Sequence, residues 1–339
     1  MDVLLGKTLT ELQEVAVSVG LQRFAGKQLA QWLYVQRVTS IDEMTNISLK
    51  GREALKANYT VGRHAPVREA VSVDGTRKYL FAVGEQFVES VYIPEEDRAT
   101  LCVSTQAGCK MGCKFCMTGT LGFHGHLSAA DILNQIFYFD DLSNIVFMGE
   151  GEPMDNIDNV LRSLEIMTAE YGGAWSPKRI TVSTVGIPAM KRFLEESECH
   201  LAVSMHNPFV SERAQIMPAE KMMSITQVVD LIKQYDWSHQ RRVSFEYICW
   251  AGQNDTPRHA KEIKRLLRGL NCRINLIRFH EGVEEIKPSS NTQIFKPSDE
   301  KQMEWFRDYL TENGITTTIR RSRGEDILAA CGMLVNSLQ

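Results

Sequence analysis

The stretch Leu101–Cys116, LCVSTQAGCKMGCKFC, decides how the rest of the chain is read. Its first residues, LCVST, are a short apolar, β-branched run that reads as a strand, and a glycine-punctuated loop carrying Cys109, Cys113 and Cys116 in the spacing C-x3-C-x2-C follows. Downstream, NIVFMG, RITVSTVG, HLAVSMH, RVSFEYI, CRINLIRF and ITTTIRR read as further strands, separated by amphipathic stretches such as SAADILNQIFYF, NIDNVLRSLEIM, SITQVVDLIKQY and SDEKQMEWFRDYLTENG. Strand then helix, repeated over about 220 residues, predicts an α/β body of parallel strands covered by helices. No glycine fingerprint of the GxGxxG kind follows any strand, so a (βα) barrel, complete or partial, is expected in preference to an open doubly wound sheet. Its working residues then sit just after strands, where the cysteine loop falls.

Upstream the pattern changes. TLTELQEVAVSVG and FAGKQLAQWLYVQ carry apolar residues at three- and four-residue spacings, with Thr8 or Thr10 as the N-cap, and predict a helical head over residues 1–66. RKYLFAV and EQFVESVYI, split by Gly84, predict a β-hairpin connector within residues 67–98, leaving 99–339 for the barrel and its C-terminal segment. The stretch from Glu281 to Pro297 has no apolar periodicity and reads as a substrate loop.

The chain has 339 residues, 43% hydrophobic and 24% charged, which excludes disordered, collagenous and coiled-coil classes. No run reaches the roughly 18 apolar residues of a membrane span, and the start, MDVLLGKTLTEL, lacks the apolar core of a signal peptide, so no membrane partner and a cytoplasmic location are expected. With 38 basic against 42 acidic residues the net charge is −4, so a nucleic acid would have to be met by a local basic patch. Of eight cysteines, four (Cys102, Cys109, Cys113, Cys116) crowd into one short stretch, which in a reducing compartment points to metal binding or thiol catalysis. Three thiolates on one tight loop can hold three irons of a [4Fe-4S] cluster and leave the fourth iron open to a substrate. Structural zinc is the alternative, but it takes four ligands and no partner pair follows at a suitable spacing.

The C-x3-C-x2-C loop, with Phe115 before its last cysteine, resembles that of the radical S-adenosylmethionine (SAM) enzymes, which implies a partial (βα) barrel of that type. The resemblance implies that SAM chelates the open iron and is split into methionine and a 5'-deoxyadenosyl radical. Gly151, Glu152 and Pro153 in FMGEGEP look like that family's segment for the methionine amine. RATLCVSTQAGCKMGCKFC together with RRSRGEDILAACG narrows the likeness to the RlmN/Cfr group of radical SAM adenine methyltransferases, closer to RlmN, over nearly the whole chain. Carbon 2 and carbon 8 of adenine are electrophilic, so the methyl group must arrive with inverted polarity. The resemblance implies that Cys331 takes a methyl from one SAM, that the radical from a second SAM removes hydrogen from it, and that the resulting carbon radical adds to the base. Cys102 would then help remove the ring proton and release the product by forming a disulfide with Cys331. Two SAM molecules per turnover, an electron donor such as flavodoxin or ferredoxin, a helical head that binds RNA, and a monomer are implied with it.

Glu89, thirteen residues before Cys102, resembles a family glutamate near the target base; Ser183, Ser204, Met205 and His206 resemble residues that hold SAM. His280, in NLIRFHEG, stands where the family usually has asparagine at the adenosine-contacting position. No basic tail follows Cys331, so RNA contact would fall to Arg320, Arg321 and Arg323, to Arg241 and Arg242, to Lys261, Lys264, Arg265 and Arg268, and to Arg23, Lys27, Arg52 and Lys56 of the head. The expected function is methylation of adenine carbon 2 in 23S rRNA and in tRNA. The alternatives are a carbon-8 enzyme, a divergent paralogue with another RNA substrate, and a non-enzymatic iron-sulfur RNA-binding protein, though the last leaves Cys102 and Cys331 without a purpose.

Overall fold

The structure, a computed structural model, describes residues 1–237, 242–280 and 295–334. The head contains β1 (Asp2–Val3), α1 (Leu9–Ser18), α2 (Ala25–Ala30, running on through a π-helical turn at Gln31–Val35), α3 (Leu49–Asn58) and β2 (Tyr59–Thr60). Thr8, not Thr10, caps α1, because its hydroxyl accepts from Glu11 N–H while the Glu11 carboxylate accepts from Thr8 N–H at 2.7 Å. A short parallel pairing of β1 with β2, too brief to leave a sequence pattern, ties the two ends of the head together. Leu12, Leu29, Leu33 and Leu55 of the head share one core with the body.

Next come β3 (Arg68–Val71), β4 (Arg77–Val83), β5 (Gln86–Glu95) and β6 (Arg98–Cys102), with β4, β5 and β6 each antiparallel to the strand before it. The expected hairpin is thus part of a larger unit: these strands extend the body's own sheet, with Cys102 opposite Val91 on β5 and beside Val146 across the sheet. After β7 (Gln106–Gly108) and β8 (Phe123–His126), which bracket the cysteine loop as a small hairpin, the body alternates as expected. It runs α4 (Ala129–Phe137), β9 (Asn144–Phe147), α5 (Ile157–Thr168), β10 (Ile180–Thr184), α6 (Met190–Glu196), β11 (His200–Ser204), α7 (Val210–Ile216), α8 (Ile225–Ile232), β12 (Val243–Cys249), α9 (Pro257–Leu266), β13 (Cys272–Arg278), α10 (Glu300–Glu312) and β14 (Thr316–Ile319). The short α7 escaped the sequence pattern because a buried arginine, Arg213, occupies one of its inward positions.

The main sheet has the order β14-β13-β12-β11-β10-β9-β6-β5-β4-β3, parallel from β6 through β14. Among the described residues its two edge strands do not pair, so the barrel is partial. Alternation on β10 sends Ile180, Val182 and Thr184 inward, while Ser183 lies on the opposite, half-open face. Because these strands are parallel, their C-terminal ends lie along one rim. No helix among the described residues is long and apolar enough to cross a membrane. The expected substrate loop falls mostly at 281–294, outside the described residues, as does Arg241.

Candidate active site

A cleft opens along that rim. The cysteine loop between β7 and β8 contributes Cys109, Cys113 and Cys116; the turn after β9 contributes Gly149, Gly151 and Glu152; β10 and β11 contribute Ser183 and Ser204, with His206 just past the end of β11; β12 adds Glu246 and Ile248; and Cys331 arrives from the C-terminal segment.

The cysteine loop owes its shape to backbone that other residues would not tolerate. Gly108 has φ +69°, and a Cβ there would stand 2.0 Å from the Gly122 carbonyl oxygen of β8's approach. Cys109 N–H then donates to that same carbonyl at 2.8 Å, and Cys116 N–H to Cys113 O at 3.1 Å. Burial pushes the thiols of all three cysteines upward, Cys109 to about 12, so each loses its proton only when a positive centre replaces it. Among the described residues, no three thiol, imidazole or carboxylate groups converge closely enough to hold a single metal ion. Three thiols on one loop, all lining the same cleft, fit the three protein ligands of a [4Fe-4S] cluster better than structural zinc, which takes four.

Beside them, Gly151 at φ +94° presses on Gln106, whose Oε1 accepts from Glu152 N–H at 2.9 Å; a Cβ on Gly151 would meet Gln106 Cβ at 2.5 Å. The Glu152 carboxylate accepts from Thr184 Oγ1 (2.6 Å), Val185 N–H (2.8 Å) and Met154 N–H (3.1 Å). Burial outweighs these donors and raises its pKa to about 7. All its partners are neutral, which leaves the site one positive charge short and suits the ammonium of an amino acid.

His206 has φ +53°, a left-handed backbone that costs of order 1–3 kcal/mol in a non-glycine residue. Its Nδ1 accepts from Ile248 N–H at 3.1 Å, and burial, helped by Arg213, lowers its pKa to about 3. The ring is therefore neutral with its proton on Nε2, and Phe115 packs edge-on against it at 4.8 Å between centroids. Two buried side chains that sequence reasoning missed hold this corner. Asn254 Nδ2 donates to His206 O (2.7 Å) and Ile248 O (2.6 Å). The Arg213 guanidinium, ion-paired with Glu220, donates to the carbonyls of Met205 (2.9 Å), Val185 (2.7 Å) and Ser204 (2.7 Å). A lone arginine or asparagine has no sequence signature for such a task. Glu246 carried one, an acid inside an apolar strand; its Oε1 accepts from Asn275 Nδ2 at 2.7 Å and from Ser244 Oγ at 2.9 Å.

Comparison with known proteins is consistent with this geometry. Residues 3–61 match the family model of the ribosomal RNA large subunit methyltransferase N-terminal domain, and residues 103–267 that of the radical SAM superfamily. The chain is 58% identical to the probable dual-specificity RNA methyltransferase RlmN of Bacteroides thetaiotaomicron, over 99% of this chain and 96% of that one. It belongs to the RlmN family of radical SAM RNA methyltransferases. The dual-specificity RNA methyltransferase RlmN of Syntrophobacter fumaroxidans is 38% identical over 97% of this chain and 96% of its own. A radical SAM methyltransferase from Sphaerobacter thermophilus superposes with a TM-score of 0.91 at 35% identity, covering 99% of this chain and 100% of that one. Membership of the radical SAM superfamily implies a [4Fe-4S] cluster and SAM.

Against this RlmN framework, the remaining candidates fall in different places. Cys102, at the end of β6, packs with Ala329 and Leu334 of the segment that carries Cys331, and burial together with the nearby Cys331 thiol raises its pKa. All eight cysteines are free thiols in this structure, the expected Cys102–Cys331 pair included. Glu89 does not line the cleft; it is buried in an ion pair with Lys78 at 2.9 Å, and its N–H donates to Glu150 Oε1 at 2.8 Å. The side chain of Met205 is in the main core, its carbonyl accepts from Arg213, and it does not line the cleft. His280 turns to the C-terminal segment, its Nε2 2.7 Å from Ser322 Oγ and its Nδ1 3.4 Å from the Glu325 carboxylate. Several basic residues expected at RNA are engaged locally: Arg265 with Glu262, Lys264 with Asn313, and Lys56 with Asp42 and Glu53.

Proposed function

We propose that this enzyme methylates carbon 2 of adenine in 23S rRNA and, as the dual-specificity name of its relatives suggests, in tRNA, with Cys331 as the methyl carrier and Cys102 as the resolving thiol. The observation that carries this reading is that Cys331 lines the same cleft as Cys109, Cys113 and Cys116, with Cys102 beneath its segment. When bound, the cluster supplies one electron that cleaves SAM to methionine and a 5'-deoxyadenosyl radical.

The chain's residues do the rest. Cys109, Cys113 and Cys116 hold three irons; Gly151 and Glu152 receive the methionine ammonium; Ser183, Ser204 and neutral His206 offer hydrogen bonds to SAM. The Cys331 thiolate attacks the methyl carbon of one SAM, displacing S-adenosylhomocysteine and leaving a methyl thioether, which needs a second SAM per turnover for its activation. Once its methylene carbon is bonded to the base, the adduct radical loses the ring proton to Cys102 and one electron, for which the cluster would be the acceptor. Cys102, as thiolate, then attacks Cys331 sulfur, and the carbon–sulfur electron pair stays on the methylene carbon, which takes up a proton to become the methyl group. The resulting disulfide is reduced before the next cycle, in keeping with a cytoplasmic setting. Glu89, buried against Lys78 and bonded through its N–H to Glu150, supports the site from behind the cleft. The head, residues 1–66, binds RNA, and the protein works as a monomer with a flavodoxin- or ferredoxin-type donor.

Nucleoside mass spectrometry of RNA incubated anaerobically with reconstituted enzyme, SAM and reductant tests the reading. 2-Methyladenosine is expected. 8-Methyladenosine would assign the carbon-8 chemistry, and unmodified RNA would overturn the enzymatic reading.

A further inference from the structure

After β14 the chain runs RRSRGEDILAACGML, Arg320 to Leu334, with no more regular structure than one 3-10 turn at Glu325–Ile327. It leaves one edge of the ten-stranded sheet and reaches the turn between β3 and β4, at the other edge. There two carboxylates are exchanged. Asp326 Oδ1 accepts from Ser72 Oγ at 2.5 Å and its Oδ2 from Val73 N–H at 3.1 Å, while Asp74 Oδ2 accepts from Gly324 N–H at 3.0 Å. Lys78, the partner of Glu89, reaches Leu328 O at 3.5 Å. Beyond Cys331 the segment is pinned to the cysteine loop: Met117 N–H donates to Gly332 O at 2.8 Å and Thr118 Oγ1 to Leu334 O at 3.0 Å.

We propose that Asp326 and Asp74 are positioning residues for Cys331: their reciprocal clasp stretches the C-terminal segment across the mouth of the partial barrel and sets the carrier thiol over the cleft. The proposal rests on the methyl-carrier reading of Cys331. A segment without helix or strand has no ladder of its own to fix it, and Leu328 is held at φ +53°, a conformation that only outside contacts sustain. Reactive geometry tolerates little drift, since a misplacement of about 1 Å can cost about 10²-fold in rate. Ionised acceptors on backbone N–H and hydroxyl donors are the strong kind of hydrogen bond for such a fixture. For Asp74, burial opposes ionisation, but donors from Thr76, Gly324 and Ser72 outweigh it and bring the pKa to about 2, so the clasp stays charged throughout the neutral range.

The test uses the reconstituted holoenzyme carrying Asp326→Ala, Asp74→Ala or both. Hydrogen exchange of the peptide spanning residues 320–334 is followed by mass spectrometry, together with methylated RNA formed per 5'-deoxyadenosine released. Exchange at least about tenfold faster and a product ratio lower by about tenfold or more are expected, with the cluster's absorbance and SAM cleavage retained. A merely structural role would lower the melting temperature without changing product per SAM cleaved. Unchanged exchange, or a product ratio within about twofold of wild type in the double variant, would overturn the proposal. If Asp326→Ala loses its cluster on folding, Ser72→Ala, which removes one donor from the opposite side, is read by the same two criteria. Wild-type enzyme that cleaves SAM but modifies no RNA overturns the functional reading instead, and the exchange result then decides the clasp by itself.

Discussion

Lys78 Nζ stands 2.9 Å from Glu89 Oε1, with 7% and 1% of the two side chains exposed. The pair sits on neighbouring antiparallel strands and extends to the segment carrying Cys331 through Leu328 O. Stripping one partner from a buried pair typically costs about 3–5 kcal/mol, because the other charge stays behind. Lys78→Met is therefore expected to lower unfolding stability by that order in urea titrations. Lys78→Met/Glu89→Gln should recover much of the stability and little of the RNA methylation.

Replacing Cys109, Cys113 or Cys116 by Ala removes one of three thiolates from a single loop. Each variant is expected to lose the brown absorbance of the reconstituted protein, with iron and sulfide content falling well below wild type. Wild-type protein carrying stoichiometric zinc and almost no iron would defeat the cluster assignment.

Cys102 and Cys331 differ in what their loss leaves behind. Cys331→Ala is expected to lack the single methyl mass shift on its C-terminal peptide, to cleave SAM slowly, and to methylate no RNA. Cys102→Ala keeps the carrier and loses the release step, so a protein–RNA adduct that survives denaturing gels and disappears with ribonuclease should accumulate. Free methylated RNA at the wild-type rate from Cys102→Ala would make that thiol a packing residue only.

Glu152 predicts a pH dependence with a definite sign. Its folded pKa of about 7 lies above the ordinary 4.5, so the folded state binds the proton more tightly. Without SAM, stability should fall as pH rises between those two values, by up to about 3 kcal/mol, and level off above. Urea unfolding from about pH 5 to 8 checks this, and Glu152→Gln should flatten the profile. The same variant should bind SAM more weakly, since an amide cannot neutralise an ammonium, as equilibrium dialysis would measure.

Arg213 is a silent residue in the sequence and a central one in the fold. Arg213→Met leaves Glu220 buried without its cation and frees three carbonyls at the ends of β10 and β11. A loss of about 3–5 kcal/mol in denaturant unfolding is expected, and Arg213→Lys should rescue little, because an ammonium lacks the planar fork that spans these acceptors.

What the amino-acid order determined unaided was local. The strand-helix alternation from Leu101 to Ile319 was legible because periods of two and about 3.6 write themselves into consecutive residues. The three cysteines were legible because they lie on one loop, and Gly151 with Glu152 because they share one strand-end turn. Only the tertiary structure decided which distant groups meet. Asp326 lies 254 positions from Ser72 and Lys78 250 from Leu328, and no periodicity records such pairings. The same holds for His280, whose ring meets Ser322, 42 positions away. Whether a charged or polar side chain faces a cleft, a partner or water depends on burial by residues remote in the chain. The desolvation that raises Glu152 and lowers His206, like the clasp over Cys331, exists only once the sheet has brought its edges and strand ends together.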